Sequence, residues 1–285
     1  PGANLMNSHF VFDLKTRIDN SIERFKARLV ADGNTQKYGV DFDAVFATVF
    51  KMATVRLMFA IAAAHGYGIW LIDVQQAFVQ ADLPERLYMR MPPHIPRFDS
   101  NGGELVCRLK KSLYGLKQAA REWSNRLLSE LVNFGFHRSV IDTCLYIYTG
   151  SDGILYLLSW VDDLIVIYSN KTLLERFIAS LGKSLPLDNK GELDWVLRME
   201  VKRDRNKRNI TLSQSQYVDR MLNKYGGWEN LTKTFESPMD DTLTLTTDMC
   251  PSPGSDEHTA MAEKRTAYMS VVGSLLWLSA CTRPD

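Results

Sequence analysis

Cysteine is scarce: four in 285 residues, at Cys107, Cys144, Cys250 and Cys281, with no paired spacing. That excludes a disulfide scaffold and the close pairs of zinc or dithiol redox sites. The four read as free thiols in a reducing compartment. No apolar run reaches the ~18 uncharged residues of a membrane span, and no secretory signal opens the chain as given, so no membrane partner is expected. No internal repeat marks a solenoid or propeller. A dominant charge is missing as well. Thirty-four Lys and Arg face 33 Asp and Glu, a net +1, which by itself announces neither nucleic acid nor an anionic surface. What remains is the composition of an ordinary globular protein, long enough for a sizeable core and more than one subdomain.

The most apolar stretch carries two adjacent acids. Ile154-Leu-Tyr-Leu-Leu-Ser-Trp-Val161 is followed by Asp162-Asp163 and then Leu164-Ile-Val-Ile-Tyr168. The flanks read as two strands joined at the acidic pair. Burial without a partner disfavours a carboxylate, and a like charge beside it compounds the cost. A divalent cation would offset both, whereas a solvated hairpin turn is the ordinary alternative. A third acid, Asp73, ends the strand-like run Gly68-Ile-Trp-Leu-Ile72. Three carboxylates from two strand ends suit two magnesium ions and in-line phosphoryl or nucleotidyl transfer. Taken alone, Asp73 has a plainer alternative as a helix N-cap.

The surroundings predict a mixture of α and β. Residues 10–14 and 24–31 read as strands about a turn at Asp19-Asn20. Residues 54–65 read as a helix capped by Thr54 and stopped by Gly66. Residues 116–134 read as a second, with Leu116, Ala120, Trp123, Leu127 and Leu131 on one face and Gly135 closing it. A third helix is expected over 173–181, strands over 195–201 and 209–212, and a helix over 215–225 before Gly226-Gly227. Residues 242–257 look turn-rich, with Pro251 and Pro253. Positive charge gathers in 15–37, 108–126 and 198–208, while 236–257 has acids and no Lys or Arg. Basic stripes beside acidic ligands fit a nucleic-acid cleft, although a solvated surface is the plain reading of each residue singly. Lys26 and Arg28 alternate on a strand and point the same way. Lys117 and Arg121, four apart, are expected on one helix face toward template phosphates, or simply toward solvent.

These landmarks, in their order, resemble the reverse transcriptase of copia-type retrotransposons over nearly the whole chain. The series includes Lys26-Ala-Arg-Leu-Val30, Asp41-Phe-Asp43 through Phe46-Ala47, Leu71-Ile-Asp-Val-Gln-Gln-Ala-Phe78, Tyr88-Met89 and Pro92-Pro93. It continues with Ser112-Leu-Tyr-Gly-Leu-Lys-Gln-Ala119, Val161-Asp-Asp163, Leu212-Ser-Gln214, Tyr217, Ser237-Pro-Met239, Val272-Gly-Ser-Leu275 and Thr282-Arg-Pro-Asp285. The resemblance implies an α+β right-hand polymerase. Fingers would be residues 1–66 and 82–111, and palm residues 67–81 and 112–201. Residues 202–285 would be the thumb and the start of a connection toward an absent ribonuclease H domain. It implies Asp73, Asp162 and Asp163 as catalytic acids, with the Val74 carbonyl as a further ligand of two Mg²⁺ ions (Mn²⁺ as substitute). Lys26 or Arg28 would grip the triphosphate of a deoxynucleotide. Phe78 would exclude a ribose 2′-hydroxyl, unless it is an ordinary core ring. Gly115 would let the backbone approach the nucleotide, and Tyr114 would line its sugar and base. Trp160, Trp195 and Met199 would meet the primer end, and Lys190 would donate a proton to pyrophosphate.

The implied partners are a primed RNA or DNA template, dNTPs, and the remainder of a Pol polyprotein with ribonuclease H and integrase. Both chain ends are expected to be cuts inside that polyprotein. The implied location is cytoplasmic retrotransposon particles, or the nucleus. Four positions depart from the family pattern: Trp160 for a usual tyrosine, Asp32 for arginine, Ala120 for proline and Arg198 for glycine. They leave open a second reading, an inactive relic that only binds nucleic acid. A metal-dependent nuclease or other nucleotidyl transferase shares the three acids but leaves Phe78 and Tyr114-Gly115 unexplained.

Overall fold

The computed structural model describes residues 3–16, 21–45, 47, 49–226, 242 and 244–284. The chain forms two compact units, Pro1–Leu193 and Asp194–Asp285. The first unit runs β1 (Leu5–Met6), β2 (Ser8–Thr16), β3 (Ile22–Ala31), α1 (Met52–His65), β4 (Gly68–Val74), α2 (Ala77–Gln80), β5 (Asp82–Arg90) and β6 (Val106–Lys111). It continues with α3 (Ala119–Phe134), β7 (His137–Arg138), β8 (Leu145–Gly150), β9 (Gly153–Trp160), β10 (Asp163–Tyr168), α4 (Lys171–Leu181) and β11 (Leu187–Glu192). The mixed α+β content expected from the sequence is present.

Among the described residues of this unit, the largest sheet has the order β11-β4-β10-β9-β8-β7, antiparallel throughout. One face carries Ile72, Val74, Leu155, Leu157, Leu164 and Val166. It packs on Trp123, Leu127 and Leu131 of α3 and on Leu173, Leu174, Phe177 and Leu181 of α4. Residues of the other parity, Ile69, Leu158, Ile165 and Ile167, are buried too, and α1 lies against β10. Burial on both faces is why the sequence there is continuously apolar instead of alternating. The antiparallel pairing brings the end of β4 beside the start of β10, which is what unites Asp73 with the acidic pair. A two-stranded ribbon of β2 and β3 and a small sheet of β1, β5 and β6 complete the unit.

Several boundaries differ from the sequence reading. The first helix begins at Met52, and Thr54 does not cap it. Asp142, far along the chain, accepts from the Lys51 amide (3.0 Å) and the Thr54 hydroxyl (2.6 Å) and does that work. The next long helix begins at Ala119, because Leu116 and Lys117 belong to the turn before it. Gly66 and Gly135 end their helices in the left-handed conformation, as expected.

The second unit holds β12 (Trp195–Val196), β13 (Met199–Asp204), β14 (Asn209–Ser213), α5 (Ser215–Lys224) and α6 (Asp256–Cys281). The strand expected over 195–201 is a hairpin: Trp195 pairs with Glu200 and Val196 with Met199, leaving Leu197-Arg198 as the turn. Strands β12, β13 and β14 form one sheet, all of it within the unit that begins at Asp194. Helix α6 was not anticipated in the turn-rich reading of 242–257 and the stretch beyond it. The turn at Asp19-Asn20, Phe46, Gly227, the Ser237-Pro-Met239 motif and Asp285 lie outside the described residues.

Candidate active site

The acids meet by register. Asp163 on β10 stands directly opposite Asp73 on β4, and Asp188 on β11 stands opposite Asp73 from the other side. Directly opposed residues in an antiparallel ladder share a face. Asp162 precedes β10 in the two-residue turn after β9, and its carbonyl accepts from the Val74 amide at 2.8 Å. Burial, then Asp73 and Asp163, push the Asp162 carboxyl up to about 6, against the partial relief of Lys26 and Arg28. Burial and Asp73 likewise raise Asp163. The Oδ1 atom of Asp162 is buried without a hydrogen-bond partner. An orphaned carboxylate oxygen among like charges is chemically suited to a hard cation. Among the described residues no three His, Cys, Asp or Glu side chains stand at ligating separation as they lie. The acids are close enough to perturb one another, and a cation would have to draw them in.

Across from them lies a crowd of cations. A cleft of about 590 Å³ is lined by Lys15, Arg24, Lys26 and Arg28 on one side and by Asp73, Asp162 and Asp188 on the other, with Tyr114 and Lys190. Arg24, Lys26 and Arg28 follow the period of two along β3, and Lys15 pairs opposite Arg24 from β2. Burial and then Arg28, Lys15 and Arg24 lower the Lys26 ammonium below its ordinary value. The wall therefore favours a bound polyanion, as the acids favour a cation.

Tyr114 and Gly115 fix how this wall is mounted. The Tyr114 carbonyl accepts from the Ala31 amide at 2.8 Å, joining the end of β3 to the turn before α3. Gly115 has φ +90°, and a Cβ there would sit 2.1 Å from the Ala31 carbonyl oxygen. What its missing side chain admits in this structure is the protein's own backbone. Fully buried Gln118 and buried Gln36 share a hydrogen bond (3.0 Å), and Gln36 also accepts from the Lys117 amide (2.8 Å), bracing the same junction. The Tyr114 ring lies under the Arg28 guanidinium at 5.7 Å. Phe78, on α2, meets Tyr114 edge-on at 5.1 Å and packs against the core, so it backs the ring that lines the cleft.

Other expected residues lie elsewhere. Lys117 precedes the helix, with its ammonium over the Phe42 ring at 4.8 Å, and Arg121 pairs with Glu122 at 2.9 Å. They are not two free cations on one helix face. Trp160 packs on Phe50, with ring centres 4.9 Å apart. Lys190 lines the cleft but is ion-paired with Asp188. In the second unit Trp195 is half-buried, and Met199 is fully buried, so its side chain offers no surface to a primer. Exposed Arg198, with φ 65°, and half-buried Leu197, with φ 48°, form the turn of that hairpin.

Sequence reasoning missed Lys15, Arg24 and Asp188 as cleft residues. The i, i+2 spacing of Arg24, Lys26 and Arg28 was a usable signal. Asp188 had none, because only the strand pairing brings it beside Asp73.

The profile of the family "Reverse transcriptase (RNA-dependent DNA polymerase)" matches residues 2–239. The chain belongs to that family. It is 35% identical over 286 residues to the retrovirus-related Pol polyprotein from transposon TNT 1-94 of Nicotiana tabacum, covering 100% of this chain and 21% of the relative. It is 33% identical to the corresponding polyprotein of transposon RE1 of Arabidopsis thaliana, covering 99% of this chain and 18% of the relative. A putative transposon Ty5-1 protein of Saccharomyces cerevisiae is 29% identical over 75% of this chain and 65% of its own length. The reverse transcriptase domain thus spans about a fifth of the plant polyproteins it matches.

Proposed function

We propose that this domain is an RNA-directed DNA polymerase of a copia-type retrotransposon, adding deoxynucleotides to a primer 3′-hydroxyl on an RNA or DNA template. The observation that carries the reading is the opposition, across one cleft, of crowded acids and crowded cations. A nucleoside triphosphate with its divalent cations relieves both at once. Two Mg²⁺ ions, or Mn²⁺ in their place, would be held by Asp73 and Asp162, with Asp163 beside them and the Val74 carbonyl as a further ligand. When bound, the metals lower the pKa of the primer hydroxyl and shield the phosphates.

The chain's own residues do the rest in this reading. Lys26 and Arg28, with Lys15 and Arg24, bind the triphosphate. Tyr114 bears on the sugar and base, and Phe78 holds that ring in place and so limits the room for a 2′-hydroxyl. Lys190 is the proton donor to pyrophosphate once it parts from Asp188. The right-hand division into fingers, palm and thumb, the ribonuclease H and integrase partners in a Pol polyprotein, and a location in cytoplasmic particles or the nucleus belong to the same proposal.

One observation favours a weaker version, a relic that binds nucleic acid and polymerises poorly. Leu197 and Arg198, neither of them glycine, both occupy the left-handed conformation at the hairpin read as seating the primer. Primer extension on an RNA template with dNTPs and magnesium separates the two. The polymerase reading expects extension that chelator abolishes. It also expects Asp162→Asn to slow extension a thousandfold or more, about 4 kcal/mol of barrier. Duplex binding without any extension would leave the relic.

A further inference from the structure

The turn that carries Asp162 is strained, and one buried side chain holds it. Val161 and Asp162 make up the whole connection between β9 and β10, since Trp160 pairs directly with Asp163. Val161 has φ 53°, a left-handed backbone that a β-branched residue adopts only under constraint. Two hydrogen bonds supply the constraint. The Asp162 carbonyl accepts from the Val74 amide at 2.8 Å, and the Val161 carbonyl accepts from the Trp123 indole Nε1–H at 2.7 Å. Trp123 is 3% exposed and sits in the core cluster with Ile72, Val74 and Leu164. A buried indole needs an acceptor somewhere. Here the acceptor is the carbonyl of the strained residue adjoining the most perturbed acid in the cleft, and the donor rides on α3, whose other buried residues anchor it to the sheet.

We propose that Trp123 is a positioning residue: its indole N–H locks Val161 in the left-handed conformation and so aims the Asp162 carboxylate at the cation. This rests on the reading of Asp162 as a cation ligand. Without the tether Val161 relaxes toward an ordinary backbone conformation, and Asp162, one residue on, turns with it. Trp123→Phe keeps a large ring in the core and removes the donor. Val161→Gly replaces the strained residue with one that takes positive φ freely.

The test is calorimetric titration of the chain with Mn²⁺, with primer extension alongside. Trp123→Phe is expected to weaken Mn²⁺ binding at least fivefold and to lower kcat more than it raises KM for dNTP. Adding Val161→Gly in that background is expected to restore most of the affinity, a rescue that a purely structural role for the indole would not give. Unchanged affinity in Trp123→Phe overturns the proposal. So does a loss that Val161→Gly leaves unrepaired, because the effect then runs through the core and not the turn. Should Trp123→Phe fail to fold, indole proton exchange in the parent decides: the tether requires slow exchange at Trp123, and rapid exchange in a parent that binds Mn²⁺ overturns it. A parent that binds no Mn²⁺ and extends no primer rejects the cation reading and the tether together.

Discussion

At the scale of single residues, Asp162 holds the site's tension. Its folded pKa, about 6, lies above the ordinary 3.8, so the folded chain binds this proton more tightly than the unfolded one. The group's contribution to stability is therefore full below about pH 4 and is lost as pH rises through about 6. In chelator, Asp162→Asn should raise the melting temperature at pH 7.5 and have no such effect near pH 4, where the native acid is already neutral. Thermal melts at the two pH values check this, and an equal gain at both would mean that charge is not the cause. The same carboxylate must ionise to hold a cation, so extension at limiting magnesium should fall as pH drops through about 6, with the midpoint moving lower as magnesium is raised. Phe78 offers a second residue-scale test. Because it backs Tyr114 edge-on, Phe78→Val should slacken the ring and raise ribonucleotide use relative to deoxynucleotide use, read by parallel extension with each substrate. A fixed ratio in an active variant would return Phe78 to the ordinary core.

At the scale of elements, what the sequence displayed depended on whether one element or two carried the cause. The strands around Asp162-Asp163 and the glycine stops at Gly66 and Gly135 were legible because each signal sits within its own segment. The start of α1 was not, because its capping carboxylate, Asp142, comes from another part of the chain. Helix α6 had a local start signal, the Ser255 hydroxyl accepting from the His258 amide, but it lay beside Pro251, Pro253 and Gly254. Its apolar residues Met261, Tyr268, Met269, Leu275 and Leu276 are exposed, and only its last turns, with Leu278 and Cys281, are buried, so the apolar pattern was a weak signal of a helix face. Residues 195–201 read as one strand, and the usual glycine at position 198 was the one sign of the turn that divides it. That two-residue turn needs positive φ at Leu197 and Arg198, where glycine is the residue without strain. Arg198→Gly should therefore stabilise the second unit, by about 1 kcal/mol. Chemical denaturation of parent and variant measures it, and a destabilised variant would mean that the arginine side chain makes a compensating contact.

At the scale of the whole molecule, a net charge of +1 conceals a strong separation of charge. Cations gather on the β2–β3 ribbon and acids on the ends of β4, β10 and β11, and the three-dimensional pairing of those elements was the part that residue order could not display. Opposite charges that cancel at long range still act within the Debye length of about 8 Å at physiological salt. Primer–template binding should then be governed by local phosphate contacts, while the near-neutral whole gives little long-range steering of the encounter. Affinity for a primed duplex is expected to fall a hundredfold or more between about 50 and 200 mM salt. Each phosphate contact contributes roughly 0.9 to the slope of log affinity against log salt. Lys117→Ala with Arg121→Ala should flatten that slope by less than two contacts' worth, because Lys117 already lies over Phe42 and Arg121 is already paired with Glu122. Fluorescence anisotropy across a salt series reads both quantities. A flat series in the parent would remove phosphate contact as the basis of binding. A double variant that loses two full contacts or more would mean that both cations leave their present partners for the nucleic acid.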